Sequence, residues 1–322
     1  MKVTLLWKMA GRLVHLGRLL KNGIKTKMFG VGDFGKEDLK YKRWVKETAL
    51  TAADIEVMKK EIESFAFKPK ISLIMPVYNI PRQWLVRAIE SVFEQVYENW
   101  ELCIADDASS KPHIRKVLSR YQTNDMRVKV KFLEENQGIS GASNQALSLS
   151  AGQYAAFLDH DDELSKDSLF EVVKLLNQYP EAEIIYTDED KLTLSSQRLR
   201  PVYKSDWDPE LFLTYNYLCH LVVCRMELVD KVGGFRKGFE GSQDYDLLLR
   251  LTELTEKIFH IPKILYHWRM VPGSAAVRVD AKSKSFERAK RALRDAMERR
   301  GIRAAVSDGE TIGTFCVKEE SK

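Results

Sequence analysis

Cysteine is scarce in this sequence, and long apolar runs are missing. The four cysteines, Cys103, Cys219, Cys224 and Cys316, show no C-x-x-C spacing and sit mostly in apolar runs, as buried reduced thiols do. This usage fits a cytosolic compartment. No run of about 18 apolar residues occurs, so no membrane-spanning helix is predicted. The N-terminal apolar stretch carries too many charges to predict a cleaved signal peptide.

A large excess of charge is also missing. The 51 basic and 46 acidic side chains leave a net charge of only +5, which argues against a dedicated nucleic-acid-binding protein. With 44% hydrophobic and 10% aromatic residues among 322, the chain can bury a sizeable core, and this excludes overall disorder. The length fits one large domain with appendages, or two small domains.

Most of the positive excess lies in residues 1–43. Within the first 25 residues, apolar side chains recur at helical spacing, and basic side chains lie mainly on the other side. The apolar positions are Leu5, Met9, Leu13, Leu16 and Leu20. Such a helix can lie on an anionic membrane, pack on its own domain, or pack on a second subunit of a homo-oligomer. We expect a cytoplasmic protein in peripheral contact with the inner face of the cell membrane through residues 1–25, and the packing alternatives stay open.

Three regions are predicted along the chain. Residues 1–68 form a basic, partly helical N-terminal extension that ends where Pro69 breaks the helical pattern. Residues 69–275 form one α/β domain. Residues 276–322 form a C-terminal helical extension, whose last helix, 280–300, ends at Gly301 as a natural C-cap.

Apolar runs and helical patterns alternate regularly from Ile71 onward. Strands are predicted at "ISLIMPV", "WELCIAD", "VKVKFL", "YAAFLD" and "EIIYTD", separated by helices at "WLVRAIESVFEQV", 112–122, 140–150 and 165–178. Strands that are apolar at nearly every position, joined by helices, predict a mostly parallel sheet covered on both faces. Ligands of such sheets bind at the carboxyl ends of the strands. Acids follow three of these strands: Asp106 with Asp107, Asp159 with Asp161, and Asp188.

The most acidic strand end is "YAAFLDHDDEL", residues 154–164. In extended backbone, residues i and i+2 project to the same side, so Asp159 and Asp161 can aim at one point. Two hard oxygen ligands suit Mg²⁺ or Mn²⁺, and a metal held by one or two carboxylates keeps positions open for a substrate diphosphate. A solvated acidic turn is the alternative. The next helix is predicted to begin at Ser165 as its N-cap.

Seven short motifs in fixed order resemble glycosyltransferase family 2, the inverting enzymes of the GT-A fold that use nucleotide sugars. The resemblance covers about residues 70–270. The matching motifs are "ISLIMPVYN" at 71–79, "ADDASS" at 105–110, "ENQGISGASNQAL" at 135–147, "AAFLDHDDEL" at 155–164, "YTDEDK" at 186–191, "VGGFRKGFEGSQDYDLLLR" at 232–250 and "YHWR" at 266–269. The resemblance implies an α/β, Rossmann-like sugar-nucleotide transferase fold.

The same resemblance implies a donor site. Its nucleotide-sugar contacts would be Pro76, Val77, Tyr78, Asp106, Asp107, Asn136, Gly138, Asn144, Asp159, His160 and Arg269. Its metal ligands would be Asp159, Asp161 and His267, with Mn²⁺ or Mg²⁺ as the cofactor. The motifs depart from the family at Ala108, where a glycine is usual, and at Ser143, where an arginine is frequent. Any phosphate contact made by that arginine is therefore in doubt.

Asp244, in "GSQDYDLLLR", is the predicted catalytic base. Inverting transfer needs a carboxylate that takes the proton from the acceptor hydroxyl as its oxygen attacks the anomeric carbon from the face opposite the leaving nucleotide. The family's usual pair is Glu-Asp, whereas this sequence has Gln243-Asp244. The alternative for Asp244 is an ordinary helix cap.

An acceptor pocket is expected at Asp188, Glu189, Asp190 and Trp207, since an indole suits the apolar face of a sugar ring. Trp207 can equally be a core residue. In "YHWR", His267 can ligate the metal or bond a phosphate, and Arg269 can pair with phosphate oxygens. Residues 271–277, "VPGSAAV", resemble a loop that closes over bound donor.

The expected activity is metal-dependent, inverting transfer of a sugar from a UDP- or dTDP-sugar to a glycan or lipid-linked glycan. Rhamnose, galactose and glucose donors all stay open, as do the acceptor and the linkage. A nucleotidyltransferase is the second enzyme reading, but it is expected to have a glycine-rich triphosphate loop after the first strand, and "MPVYNIPRQW" lacks one. A non-catalytic scaffold of the same fold is the third reading; the retained Asp159, Asp161 and Asp244 argue against it.

Overall fold

A computed structural model describes residues 36–271 and 279–320 of the chain, which divides into the units 1–39 and 40–322. The helices are α1 Lys36–Glu47, α2 Ala52–Ser64, α3 Arg82–Phe93, α4 Pro112–Asn124, α5 Gly138–Leu147, α6 Ser168–Gln178, α7 Pro209–Thr214, α8 Met226–Lys231, α9 Gln243–Leu251 and α10 Val279–Arg299. The strands are β1 Ile71–Val77, β2 Trp100–Asp106, β3 Val128–Phe132, β4 Tyr154–Phe157, β5 Glu163–Leu164, β6 Ile184–Leu192, β7 Arg198–Val202, β8 Val222–Arg225, β9 Ile258–Arg269, β10 Ala304–Asp308 and β11 Phe315–Glu319.

The central sheet of the described residues has the order β3-β2-β1-β4-β8-β6-β9-β5, with β7 paired to β6. The predicted parallel half is confirmed, because β1 lies parallel between β2 and β4, and β2 is parallel to β3. The other half is mixed. Strand β8 is antiparallel to both β4 and β6, while β6 and β9 run parallel to each other.

Helices cover both faces of the sheet, as the apolar strands predicted. Every residue of β1 and β2 is buried, and successive side chains enter opposite cores because side chains alternate along a strand. Leu73 packs in the core beneath α3, α4 and α6, whereas Ile74 packs in the core beneath α5, α9 and α10. Burial of each such side chain contributes about 1.5–3 kcal/mol.

Several element boundaries differ from the sequence prediction. Helix α6 begins three residues late, with Asp167 at its N-cap, and Ser165 donates its hydroxyl to that carboxylate at 2.6 Å. Strand β6 continues through Leu192, so Asp188 lies inside a strand and not at its end. A hairpin of β10 and β11 follows the C-terminal helix. Gly301, with φ +70°, ends that helix as predicted.

The predicted amphipathic helix of residues 1–25, and most of the loop 271–277, lie outside the described residues. Among the residues that are described, no helix is long and apolar enough to cross a membrane.

Candidate active site

The carboxyl ends of β1 and β2 meet in a compact turn that holds the first predicted donor residues. The Asp107 amide donates to Val77 O at 2.8 Å, and the Asp107 carboxylate accepts the Gln137 amide at 2.7 Å. The Asn136 side chain donates to Asp107 O at 3.1 Å. Ala108 has φ +56°, a left-handed conformation that glycine adopts without steric cost, which explains why glycine is the usual residue there.

Two of the predicted donor residues have structural roles. Asp106, which is 4% exposed, accepts the Ser109 amide at 3.2 Å. The Asn144 side chain bonds both backbone groups of Phe235, donating to the carbonyl and accepting from the amide at 2.8 Å each. Asn144 therefore ties α5 to the turn before α9, and its polar atoms are engaged within the protein.

The turn after β4 carries the cluster of four acids. Asp159 is partly open to solvent, with 40% of its side chain exposed. Asp162 is fully buried and accepts the Tyr266 hydroxyl and the Arg269 amide, both at 2.7 Å. Burial, reinforced by the charges of Asp161 and Asp159, raises the pKa of Asp162 well above its ordinary value. Burial also raises the pKa of Asp161. His160 is turned toward the end of β1, with its Nδ1 2.9 Å from Pro76 O.

One group of metal-ligating side chains stands out in the described part of the chain. Asp159, Asp162 and His220 place one ligand atom each within 4.8 Å of one another. The Nε2 atom of His220 lies 3.8 Å from Asp159 Oδ2, and its ring stacks on Tyr266 with centroids 4.7 Å apart. His220 lies in none of the seven motifs, and nothing in the sequence distinguishes Asp162 from its acidic neighbours as a metal ligand. The structure brings both to Asp159.

The predicted ligands Asp161 and His267 are not in that group. His267 Nδ1 lies 2.7 Å from Asp190 Oδ1, on the β6 side of β9. The Asp190 carboxylate fixes the orientation of the His267 imidazole. Ligation of a metal by Asp161 or His267 stays a prediction.

Asp244 lies in the first turn of α9, where it shares one pocket with Asp159 and His220. Pro76 and Ser143 line the same pocket. The carboxylate accepts the Asn216 amide at 2.9 Å. Burial raises its pKa; the nearby His220 opposes this, and Asp159 adds to it. The predicted base and the predicted metal carboxylate are thus brought together from sequence positions 85 residues apart.

Arg269 requires a correction, because the predicted phosphate contact is not open to a ligand. Its side chain is fully buried and donates to Asp161 O at 2.8 Å, Thr193 O at 3.2 Å and Ser196 Oγ at 3.1 Å, and it also contacts the Glu163 carboxylate. These donors hold the acidic turn against β9. Arg269 therefore supports the acidic turn after β4 from behind.

The acceptor prediction also requires correction for three carboxylates. Asp188, Glu189 and Asp190 are each at most 2% exposed. Asp188 lies 2.9 Å from His260 Nε2, Glu189 accepts two lysine ammonium groups, and Asp190 accepts Arg198 Nε at 2.6 Å. Internal partners thus occupy all three, and none faces an acceptor. Trp207 is half-buried, and its ring centroid lies 5.2 Å from that of Phe212. Its contact with an acceptor stays a prediction.

Two predicted nucleotide-sugar contacts remain, Tyr78 and Gly138. Tyr78 is 48% exposed at the end of β1. Gly138 begins α5 with φ +74°, a conformation that favours glycine. Contact of either residue with a nucleotide stays a prediction.

Comparison with known proteins agrees with this architecture. Residues 72–233, half of the chain, match the model of the glycosyl transferase family 2. The chain is 44% identical to the uncharacterized protein y4gI of Sinorhizobium fredii over 80% of its own length, and 33% identical to the O-antigen biosynthesis protein RfbC of Myxococcus xanthus over 84%. It spans only 28% and 21% of the length of these two relatives.

The fold has solved counterparts as well. The structure of S. aureus TarS in complex with UDP-GlcNAc superposes with a TM-score of 0.58 at 18% identity, covering 71% of this chain and 66% of that one. At this identity the likeness concerns the fold alone. The motifs, the matched family model and the mixed sheet flanked by helices agree, and the chain belongs to glycosyl transferase family 2.

Proposed function

We propose that this chain transfers a sugar, with inversion, from a UDP- or dTDP-sugar to a glycan or lipid-linked glycan during cell-surface polysaccharide biosynthesis. The observation that carries this proposal is the meeting of Asp159, His220 and Asp244 in one pocket at the carboxyl ends of the parallel strands. The relative with a printed role, the O-antigen protein, supports the polysaccharide context. A rhamnosyl donor fits that context, and glucose and galactose donors remain alternatives.

The metal-ligating side chains of the pocket suit a divalent cation. Carboxylate oxygen and imidazole nitrogen are ligands that Mn²⁺ accepts, and carboxylates alone suit Mg²⁺. Asp159 and His220 would hold the ion. Asp162, which accepts hydrogen bonds from Tyr266 and Arg269, would support Asp159 and His220 from the interior. When bound, a divalent ion neutralises charge on the departing diphosphate.

Asp244 would act as the general base on the acceptor hydroxyl. Its deprotonated carboxylate takes the proton while the acceptor oxygen attacks the anomeric carbon, and the nucleotide diphosphate leaves on the opposite side. The partly buried position keeps the carboxylate away from bulk water, and among the residues that the structure describes its side-chain hydrogen-bond partner is the neutral amide of Asn216. Burial raises the pKa of Asp244 despite the nearby His220, so the carboxylate keeps its affinity for the proton.

The proposal is tested by the uptake of sugar nucleotides. UDP-GlcNAc, UDP-glucose, UDP-galactose and dTDP-rhamnose are added to the protein with Mn²⁺ or Mg²⁺, and the melting temperature is recorded, since bound donor stabilises the fold by mass action. We expect a metal-dependent rise for at least one donor, and its loss in Asp159→Asn. The exposed Asp230 provides the control variant Asp230→Asn, which should keep the rise.

Other outcomes separate the alternatives. Metal-dependent donor binding without release of UDP or dTDP favours a scaffold. Release of pyrophosphate from a nucleoside triphosphate and a sugar phosphate favours a nucleotidyltransferase. If no sugar nucleotide changes the melting temperature with either metal, the proposed function is wrong.

A further inference from the structure

One short segment, residues 216–220, connects the two halves of the proposed site. At its start, the Asn216 side-chain amide donates to Asp244 Oδ2 at 2.9 Å. At its end, His220 Nε2 lies 3.8 Å from Asp159 Oδ2. The segment therefore touches the proposed base with one residue and the proposed metal carboxylate with another.

A buried ion pair holds the segment in place. Lys204 Nζ donates to Leu218 O at 2.6 Å and to His220 O at 2.5 Å, and it lies 3.2 Å from Glu189 Oε2. The same carboxylate oxygen accepts the His220 amide at 3.2 Å. The Lys204 and Glu189 side chains are only 2% and 3% exposed. Two carbonyls of this segment and one of its amides are thus fixed by charged partners that solvent barely reaches.

The backbone of the segment is strained at one residue. Cys219 has φ +35°, a backbone conformation that non-glycine residues seldom adopt. Its amide donates to Asn216 Oδ1 at 3.4 Å and its thiol donates to Asn216 O at 3.1 Å. These contacts fix the Asn216 amide group with its oxygen toward Cys219 and its nitrogen toward Asp244. Local strain of this kind persists only where the surroundings over-determine it.

The neighbouring Gln243 does not take this role. Its side-chain oxygen accepts the Gly241 amide at 2.6 Å, which places it on the turn before α9. Asn216 is therefore the side chain that bonds the Asp244 carboxylate. An amide can fix a carboxylate through one hydrogen bond without adding a positive charge, so the carboxylate stays a usable base.

We propose that Asn216 is a positioning residue of this enzyme, which orients the Asp244 carboxylate toward the acceptor hydroxyl. The 216–220 segment would also hold this base in a fixed position relative to Asp159, where the metal-bound sugar nucleotide would lie. This inference rests on the proposed function. It goes beyond the motifs, because Asn216 and Lys204 lie in none of them. Asn216 acts through Asp244 and takes no part in bond making.

The test compares Asn216→Ala and Asn216→Gln with the wild type and with Asn99→Ala. Asn99 is the control, because its side-chain amide donates to Lys68 O at 2.9 Å directly before β2, at the amino end of that strand and away from the proposed site. The readouts are release of UDP or dTDP from the sugar nucleotide that stabilises the wild type most, with Mn²⁺, the affinity for UDP, and the melting temperature.

We expect Asn216→Ala to lower kcat about 10- to 100-fold, the effect of a misplaced catalytic group, while KM for the donor and Kd for UDP change less than about twofold. Asn216→Gln, which keeps the amide, should recover about fivefold or more of the lost kcat. Asn99→Ala should keep the wild-type kcat. A purely structural role would instead lower the melting temperature and weaken UDP binding together with kcat.

Two results would overturn the inference and can be told apart. If the wild type turns over and Asn216→Ala keeps its kcat, or loses UDP affinity in proportion to kcat, positioning of the base is wrong and the proposed function stands. If the wild type releases no nucleotide from any sugar nucleotide of the panel, the proposed function fails and the inference falls with it.

Discussion

At the scale of single residues, the partners of a buried carboxylate decide its role more than its place in a motif. Asp244 and Asp246 lie in the same first turn of α9. Asp246 is fully buried between two guanidinium groups, those of Arg236 and Arg250. These cations compensate its negative charge, so its role is structural. Asp244 has a neutral amide as its side-chain partner and lines the pocket. The choice of Asp244 over Asp246 as the base rests on the family motif, and it stays a prediction.

The first prediction concerns Asp244→Asn. The amide cannot accept a proton, so kcat should fall by about 10²–10⁴-fold, the contribution of a general base, while UDP affinity is retained. Burial raises the Asp244 pKa, and a base acts only when deprotonated, so the wild-type kcat should rise with pH through a midpoint above the ordinary aspartate value. The measurement is the pH dependence of nucleotide release, with UDP binding as the control. A variant with unchanged kcat would show that another group is the base.

At the scale of elements, the three acids of β6 show why local pattern reasoning fails. "YTDEDK" looks like an acidic strand end, because nothing in the sequence shows that β9 pairs along β6 as far as Leu192. The lysine that meets Glu189 from beyond the strand, Lys204, is 15 residues away in sequence. Burial opposes ionisation of Glu189, but the charges of Lys204 and Lys191 outweigh it and lower its pKa to about 2. Glu189, a predicted acceptor contact, instead forms with Lys204 a buried ion pair that holds the 216–220 segment in place; this pair is called the clamp below.

The second prediction concerns this clamp. Lys204→Met leaves Glu189 poorly compensated in the interior and should lower the free energy of unfolding at pH 7 by about 3–5 kcal/mol. A depressed carboxyl pKa contributes stability that is present above the unfolded value of 4.5 and is lost as pH falls toward about 2. The difference between wild type and variant should therefore shrink over that interval. Urea unfolding between pH 7 and pH 3 measures both effects.

Lys166→Met is the control for the clamp, because Lys166 pairs with Glu94 at 3.5 Å on the surface, where each side chain is 51% exposed. An exposed pair contributes about 1 kcal/mol or less. Equal losses for Lys166→Met and Lys204→Met would show that the buried pair adds no more than a surface pair.

At the scale of the whole molecule, the sequence predicted the half of the fold that is built from neighbours in the chain. β1 to β4 and their helices follow one another in sequence, and the period of their apolar residues predicts each one. The insertion of β8 between β4 and β6 reverses the strand direction and brings His220 to Asp159. Pairings of this kind depend on contacts between distant segments, so no local period could predict them.

The last prediction concerns the C-terminal region, 276–322, which the sequence separates from the catalytic domain as an extension. In the structure, Leu293 of α10 is fully buried in the core that also holds Ile74 of β1 and Leu248 of α9. If that core is shared, Leu293→Ala should lower the free energy of unfolding by about 2–5 kcal/mol, as for other buried leucines, within a single cooperative transition. Leu254→Ala, at a leucine that is 50% exposed, should cost about 0.5 kcal/mol. A second transition at low urea in Leu293→Ala alone would show instead that α10 and the hairpin unfold as an appendage, and the boundary near residue 275 would then be a true domain boundary.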